Sequence, residues 1–304
     1  MLRFFLRRLG VSLLVAVTVS VIGFALLRLS GDLASALAGE TATPEEIARV
    51  AHMYGLDRPL HVQYFDWVWS ALHGDLGTSL FSRVPVLELI VDHLGVTVAL
   101  ALSALLLSLV VAIPLGVVAA MRPNSWVDRT ALALAVFGQA IPNFWFALIL
   151  IYAFSVKLQW TPVSGSDTWV HFILPTITLG LATMPSKMRL TRAGMIEALS
   201  SDFVRTARAK GLTAGSVLFK HALRTAILPV VSVSAVSLGF LLGGSVIVES
   251  VFGLNGIGQL AFHSISQIDF PVVQSILVFL AFCYIFLTML ADLINARLDP
   301  RIKL

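Results

Sequence analysis

VTVALALSALLLSLVVAIPLGVVAAM, residues 96–121, runs for 26 positions without a charged side chain. A helix rises about 1.5 Å per residue, so this run is long enough to cross the roughly 30 Å hydrocarbon core of a bilayer. Counting apolar windows of about 20 residues gives five more spans, near 9–29, 130–156, 170–190, 226–248 and 272–295. The sequence therefore predicts an all-α polytopic membrane protein with six transmembrane helices.

The overall composition indicates the same class. Apolar residues make up 58% of the chain and charged residues 12%, with a mean hydropathy of +0.90, whereas a soluble domain carries roughly 25% charged residues. The formal charge of +4 does not indicate nucleic-acid binding, because the cations are segregated by loop. Cys283 lies in an apolar run and is the single cysteine of the sequence. A disulfide or a cysteine-based metal site within one chain is therefore excluded. The first apolar run is too long for a signal peptide and is predicted to be a retained anchor.

The Lys and Arg residues are distributed unevenly between the two sides. If the six spans alternate, 16 of the 21 fall on the side of the N-terminus, eight of them between Lys187 and Arg224. Cytoplasmic loops carry the excess of positive charge, so both termini are predicted to be cytoplasmic and the protein to be multi-pass in the cell inner membrane. The opposite face holds Arg28, Arg49, Arg58, Arg83 and Lys157.

The first predicted outer segment, residues 30–95, is long enough to carry its own helices. Thr43-Pro44-Glu45-Glu46 combines a capping box with a proline at the first helical position, and a second helix is predicted between Pro59 and Gly74. This segment contains nine acidic residues and three basic ones. Such an acidic surface could receive a soluble partner or a cationic solute, or it could simply be a solvated cap over the helix bundle. The domain prediction is an N-terminal part (1–29), this periplasmic helical segment (30–95) and a five-helix core (96–304). The segment's histidines lack tight ligand spacing, so no metal site is predicted at His52, His61, His73 or His93.

A strongly basic stretch, residues 201–212, separates two apolar spans and cannot rest in hydrocarbon. Ser200 or Ser201 can cap a short helix that bears Phe203, Val204 and Ala207, and Gly211 suits the left-handed position that ends it. A second short helix is then predicted from Thr213 towards Pro229. Two short helices that meet at a glycine form a compact knob with an apolar face and a basic rim. The residues alone leave two interpretations of it: the knob fits a groove on a partner protein, or it lies on anionic lipid.

Three polar residues are candidates for a translocation path or gate. Gln139 and Asn143 lie four positions apart beside Pro142, which predicts a shared helical face, although interhelical hydrogen bonding is an equal alternative. Glu249 closes the fifth predicted span at its outer end. Ionisable residues near membranes are functional candidates, but a helix-end carboxylate that pairs with a polar neighbour is the stronger alternative.

Several motifs resemble one transporter family. VRTARAKGL at 204–212 followed by HALR at 221–224 resembles the cytoplasmic signature loop of permeases in binding-protein-dependent ABC importers, and in particular the peptide/nickel group. Leu223-Arg224 stands where the general family has Leu-Pro, a departure typical of that group. Further similar motifs are GLDRPL (55–60), HGDLGTS (73–79), SWVDR (125–129), PNFW (142–145), ESVF (249–252), DFPVVQ (269–274) and LDPRI (298–302). The long first outer segment is similar to that of the first of the two permease types.

The resemblance implies an ATP-driven importer subunit that works by alternating access. It implies as partners a second homologous permease, two ATP-binding subunits and a periplasmic or lipid-anchored solute-binding protein, besides membrane lipid. It also implies that the ATPases contact a coupling loop at about 191–225. The residues expected to carry that contact are Phe203, Val204, Arg205, Thr206, Ala207, Arg208, Lys210, Gly211, Leu212, His221 and Arg224.

The absence of other signatures favours a transport subunit without its own ATPase site. No Gly-x4-Gly-Lys-Ser/Thr loop occurs, so ATP and Mg²⁺ are expected to bind partner subunits, with no cofactor in this chain. A stand-alone secondary transporter predicts charges deep in the spans, and an intramembrane enzyme predicts a catalytic constellation such as His-Glu-x-x-His; neither is found. Similar permeases carry peptides, glutathione, nickel complexes, glycosides or opines, and peptides are the leading expectation.

Overall fold

The regular structure of the described residues is helical. The computed structural model describes residues 2–29, 33–39 and 41–298, in which β-structure is limited to one isolated bridge between Thr78 and Pro85. The helices are α1 (Leu2–Leu29), α2 (Leu33–Ala38), α3 (Pro44–Met53), α4 (Leu60–Leu72), α5 (Val86–Met121), α6 (Trp126–Ala140), α7 (Asn143–Leu150), α8 (Ile173–Ser200), α9 (Asp202–Ala209), α10 (Leu223–Ala226), α11 (Leu228–Gly244), α12 (Val246–Phe252), α13 (Ile257–Ser266) and α14 (Phe270–Leu298). The all-α prediction is confirmed.

Between three and five membrane spans fit the described helices by length and composition. The three unbroken candidates are Gly10–Leu29, Val86–Met121 and Phe270–Ala291. Two more arise if each bent pair is one span: α6 with α7 and its extension to Lys157, bent by 98°, and Ser216–Ala226 with α11, bent by 52°. The predicted fourth span falls in α8, which does not meet the same criterion. The count of six and the side of the termini therefore remain predictions.

The helices predicted for the first outer segment form at the expected positions. Thr43 caps α3: Glu46 N–H donates to Thr43 Oγ1 (3.4 Å), and Thr43 N–H donates to Glu46 Oε2 (2.8 Å). The bond from Thr43 N–H, and after it a bond from the Thr43 hydroxyl to the same Oε2 (3.0 Å), lower the pKa of the exposed Glu46 carboxyl. α3 ends at Met53, before Gly55 with φ 64°, and α4 starts directly after Pro59. Both helix predictions are confirmed.

Prolines have different effects in different helices. Pro185 lies inside α8 and Pro114 inside α5, yet both helices are continuous. Pro175 falls in the first turn of α8, where backbone N–H groups have no partner within the helix, so its missing N–H costs little. The sharper of the two bends lies at Pro142, where Ile141 adopts an extended backbone (φ −82°, ψ 126°) and the helices turn by 98°.

The chain forms two compact units. Unit 1 consists of the described residues up to Gly95 together with Asn255–Ile285, and unit 2 of Val96–Leu254 with the described residues from Phe286. Unit 1 has an apolar core of Val86, Ile90, Ile257, Val272 and Ile276. The largest core cluster of unit 2 packs α5, α7, α8, α11 and α12 around Leu100, Leu179 and Leu241. The three-part domain division predicted from sequence stays a prediction.

Candidate functional site

The basic stretch folds into two short helices joined at Gly211. Gly211 adopts φ 76°, its N–H donates to Arg208 O (3.0 Å), and Leu212 N–H donates to Ala207 O (3.3 Å). A Cβ at this position would have no atom within 4 Å, so the backbone angle, not lack of space, favours glycine here. The predicted left-handed turn at Gly211 is confirmed. We call residues 201–226 the basic knob.

The start of α9 differs in detail from its prediction. Ser201 is the N-cap residue with extended backbone (φ −75°, ψ 156°), but its side chain does not cap the helix. Its hydroxyl donates to Ala198 O (2.5 Å), and the Ser200 hydroxyl donates to Glu197 O (2.8 Å). The predicted side-chain cap is therefore wrong, because α8 ends directly at Ser200 and its last carbonyl groups accept from both hydroxyls. α8 thus also occupies the first ten residues of the predicted coupling loop.

The second helix of the knob begins where Thr213 predicted it. Ser216 N–H donates to Thr213 Oγ1 (3.4 Å), and the chain continues as a π-helical segment, Ser216–Ala222, into α10. α10 packs closely on α8, since a Cβ at Gly194 would lie 2.9 Å from Ala226 O. The knob is therefore held against α8 at a position that tolerates only glycine without displacement.

The apolar side chains of the knob are divided between its interior and its surface. Val204 and Ala207 are buried in a cluster with Met195, Val217 and Ala222. Their prediction as part of a partner-facing surface is corrected, because they pack on the chain's own α8 and π-helical segment. The apolar side chains left at the surface are Phe203 (44% exposed), Leu212 (40% exposed) and Phe219.

The cations of the knob form an exposed rim. Arg205, Arg208, Lys210 and Arg224 are exposed, whereas His221 is half-buried. Arg205 Nη2 lies 3.5 Å from Asp202 Oδ1, and solvent screens this exposed ion pair. The exposed Thr206 donates its hydroxyl to the backbone oxygen of Asp202 (2.9 Å). A surface groove of about 570 Å³ beside the rim is lined by Met121, Leu199, Arg208, Leu212, Val217 and Leu218.

Three of the eight cations between Lys187 and Arg224 lie in α8, and two of these, Lys187 and Arg192, are at least partly buried. Lys187 is 0% exposed, and its ammonium donates to Thr183 O (3.1 Å) and Ser237 Oγ (3.2 Å). Arg192 makes a two-bond ion pair with the buried Asp128, at 2.5 Å (Nε–Oδ1) and 2.6 Å (Nη2–Oδ2). Both cations therefore pack against neighbouring helices and are not part of the exposed rim. That no charge lies deep in the membrane spans stays a prediction, because α8 does not meet the criterion for a span.

The spacing of apolar residues around Lys187 predicts that its side chain lies on the buried face of α8. Met184, Met188 and Met195 recur at helical spacing, and all three are buried in unit 2. Lys187 falls on the same face of α8, so extending the helix past Pro185 places its ammonium in the interior. Arg192 had a weaker signal, because pairing it with Asp128 requires knowing that α6 packs on α8.

Gln139 and Asn143 do not share a helical face. Gln139 ends α6 and its Oε1 accepts from Arg189 Nη1 (3.2 Å), whereas Asn143 starts α7 beyond the 98° bend. The shared-face prediction fails because Pro142 has no N–H to continue the helix. Asn143 and Thr178 are the polar members of a cavity of about 230 Å³ lined by apolar side chains, among them Leu115, Phe137, Phe146 and Met184.

Glu249 is fully buried in α12. Its Oε1 accepts hydrogen bonds from Ser245 Oγ (2.6 Å) and Thr97 Oγ1 (3.0 Å). This matches the alternative of a helix-end carboxylate with polar neighbours. Within residues 2–29, 33–39 and 41–298, no three His, Cys, Asp or Glu side chains come close enough together to hold a metal ion.

Family profiles cover nearly the whole chain. Residues 112–304 match the binding-protein-dependent transport system inner membrane component, and residues 1–101 match the N-terminal domain of the same membrane components. The chain belongs to this family. The resemblance drawn from the knob motif is confirmed, and the protein is a multi-pass inner-membrane permease subunit of the ABC importer class.

Curated relatives of the permease share its full length. A probable peptide ABC transporter permease protein, y4tP of Sinorhizobium fredii, is 38% identical, with 99% of each chain covered. The glutathione transport system permease protein GsiC is 38% identical in Salmonella choleraesuis and 37% identical in Escherichia coli K12, with 100% of this chain and 99% of the relative covered.

Solved structures support the permease fold. An inward-facing form of the MetNI methionine ABC transporter aligns with a TM-score of 0.60 at 20% identity, covering 70% of this chain and 97% of that one. An amino acid ABC transporter aligns with a TM-score of 0.54 at 18% identity, covering 69% and 94%. At such identity the likeness concerns the fold alone.

Proposed function

We propose that this permease is one half of a two-permease pathway that imports peptides, driven by separate ATPase subunits. The observation that carries the proposal is the basic knob: an exposed cationic rim with Phe203 and Leu212 at its surface, built of two short helices joined by a glycine turn and packed on α8. A soluble partner with an acidic, apolar-lined groove complements such a surface in shape and charge.

The family and the sequence support the proposed set of partners. A second homologous permease completes the pathway, two ATP-binding subunits bind ATP and Mg²⁺, and a periplasmic or lipid-anchored protein delivers the solute. This chain itself acts without an ATPase site, since it contains no phosphate-binding loop. ATP-driven closure of the ATPases moves the knob, and alternating access follows from the displacement of α8.

The peptide assignment rests on the relatives. One is named for peptide transport and others for glutathione transport, and glutathione is itself a tripeptide. Full-length coverage at 37–38% identity supports carrying the solute class over to this chain.

The candidate path residues take different roles in the proposal. Asn143 lies on the path, supported by its position in the cavity at the α6–α7 bend. Gln139 and Glu249 hold helices in place, since each side chain bonds to a neighbouring element: Gln139 to Arg189 of α8, and Glu249 to Thr97 of α5.

The coupling role is tested at Gly211. Gly211→Pro removes the N–H that bonds Arg208 O and forces φ to about −65°, so we expect uptake of dialanine to fall to the level of cells that lack the chain. Gly215→Ala is the matched control: Gly215 has helical angles (φ −63°, ψ −42°) and open space around its Cβ position. Capture of the solute-binding protein should be normal in both variants. Normal uptake by Gly211→Pro would contradict the proposal.

A further inference from the structure

A further cavity lies within unit 1. It has a volume of about 260 Å³ and is bounded by the end of α1, by α4 with the turn that follows it, and by the start of α14. Its polar lining consists of Arg28, Asp66, Trp67, Ser70, Asp75 and Gln274. The volume is slightly below the range of about 300–1,000 Å³ for drug-sized ligand pockets, which suits a single amino acid or a very short peptide.

Three unpartnered hydrogen-bond donors belong to this lining. Among the described residues, five buried side-chain polar atoms have no hydrogen-bond partner in the protein, and three of them are Arg28 Nη1, Trp67 Nε1 and Gln274 Nε2. Gln274 is only 5% exposed, so bulk water does not readily serve it. Buried donors without acceptors are costly and uncommon. Three of them around one cavity indicate a ligand that brings acceptor oxygens, and a carboxylate supplies the most in one group.

Two carboxylates line the same cavity. Asp66 is paired with Arg58 at 2.8 Å, which offsets its charge, whereas Asp75 Oδ1 accepts from Gly77 N–H (2.8 Å) and remains exposed. Arg28 and Asp75 therefore present opposite charges to one small space. A simple anion would be attracted by Arg28 but repelled by Asp75. A molecule with a carboxylate at one end and an ammonium at the other complements both.

We propose that this cavity binds a zwitterionic amino acid or short peptide, with its carboxylate at Arg28, Trp67 and Gln274 and its ammonium at Asp75. Leu33, Phe270 and Pro271 supply the apolar part of the wall. The assignment deepens the proposed peptide import and rests on it for its purpose, which is to bind the class of solute that the permease transports. Binding itself does not require transport, so the two proposals can fail separately.

The test is equilibrium binding to the assembled complex in lipid nanodiscs, prepared without the solute-binding protein. The probes are radiolabelled dialanine, its C-terminal amide and its N-acetyl derivative. We expect saturable binding of dialanine and about tenfold or greater loss for each blocked derivative, because each lacks one charged contact. Arg28→Met should weaken dialanine binding to a similar degree and also abolish the preference for the acid over the amide.

Neighbouring variants separate the site from a folding effect. Gln274→Met keeps the side-chain size, so it carries the same test if Arg28→Met does not assemble. Trp67→Phe removes only the indole N–H and should weaken binding, whereas Trp69→Phe on the same helix is the matched control, since Trp69 is 67% exposed and outside the lining. Thermal unfolding of each complex reports assembly.

Two outcomes overturn the proposal: dialanine does not bind, or Arg28→Met still discriminates the acid from the amide. If dialanine does not bind and Arg28→Met weakens docking of the solute-binding protein, the cavity is assigned to a side chain of that protein instead. Dialanine uptake by cells is measured in parallel. If the cavity variants bind and take up dialanine as the wild type does, the proposed binding site is refuted but peptide import is not. If wild-type cells do not take up dialanine although the complex binds it, peptide import is refuted but the binding site is not.

Discussion

Burying the Lys187 ammonium in unit 2 costs free energy that its two hydrogen bonds return only in part. An ammonium has three donors and no acceptor capacity, and the Lys187 ammonium donates to one carbonyl and one hydroxyl, Thr183 O and Ser237 Oγ. Desolvating a charge without an opposite charge beside it is among the most costly events in folding. A residue kept under that penalty indicates a requirement other than stability.

Replacement of Lys187 by methionine is therefore predicted to stabilise the permease. Lys187→Met keeps most of the side-chain volume and removes the charge, so we expect the free energy of unfolding to rise by about 1–4 kcal/mol. Lys187→Ala leaves a cavity as well and should be less stable than Lys187→Met. The thermal unfolding midpoint of the purified complex measures both. A lower midpoint for Lys187→Met than for the wild type would show that the ammonium stabilises the fold.

At the level of elements, the α6–α7 bend determines where the polar residues of this region point. A straight helix over residues 126–157 would be about 48 Å long at 1.5 Å per residue. With the observed 98° bend, arms of about 22 Å each place the ends about 30 Å apart. The bend also directs Asn143 into the cavity while Gln139 remains beside Arg189.

Removing Pro142 is predicted to release the bend in part. Pro142→Ala restores an N–H and lifts the restriction on Ile141, so we expect a second population with ends near 48 Å apart. Spin labels at Trp126 and Leu158, both exposed, allow the distance to be measured by double electron–electron resonance after Cys283 is replaced by serine. Pro114→Ala is the control, because α5 runs through Pro114 unbroken. An unchanged distance in Pro142→Ala would mean that packing alone bends the helix.

The same elements show how far local sequence signals extend. Capping chemistry at Thr43, the Pro59 helix start and the left-handed Gly211 turn are local, and the sequence predicted all three correctly. Whether Pro114, Pro142 or Pro185 breaks a helix depends on what packs around it, so three prolines of similar sequence appearance differ in structure. Arg192 and Asp128 are 64 positions apart, and no local pattern links them.

At the level of the whole molecule, the permease is incomplete as a single chain. Its basic knob exposes five arginine and lysine side chains, Lys220 among them, beside Phe203 and Leu212, a surface suited to a protein partner. The family's inner-membrane components work with a binding protein, as the family description states. These features predict that the chain co-purifies with partner proteins from native membranes.

A mild-detergent pull-down of the tagged chain tests that prediction directly. We expect the wild type to recover one homologous permease and one or two ATPases. The double variant Arg205→Glu with Arg208→Glu reverses the exposed rim and should lose the ATPases while keeping the second permease, because Val204 and Ala207, which hold α9 in place, are untouched. Arg49→Glu with Arg83→Glu reverses two exposed cations in the predicted outer segment and should recover the full set. Recovery of the wild-type chain alone, with the ATPases demonstrably expressed, would instead favour a stand-alone transporter, in which the buried Lys187 becomes the candidate for ion coupling.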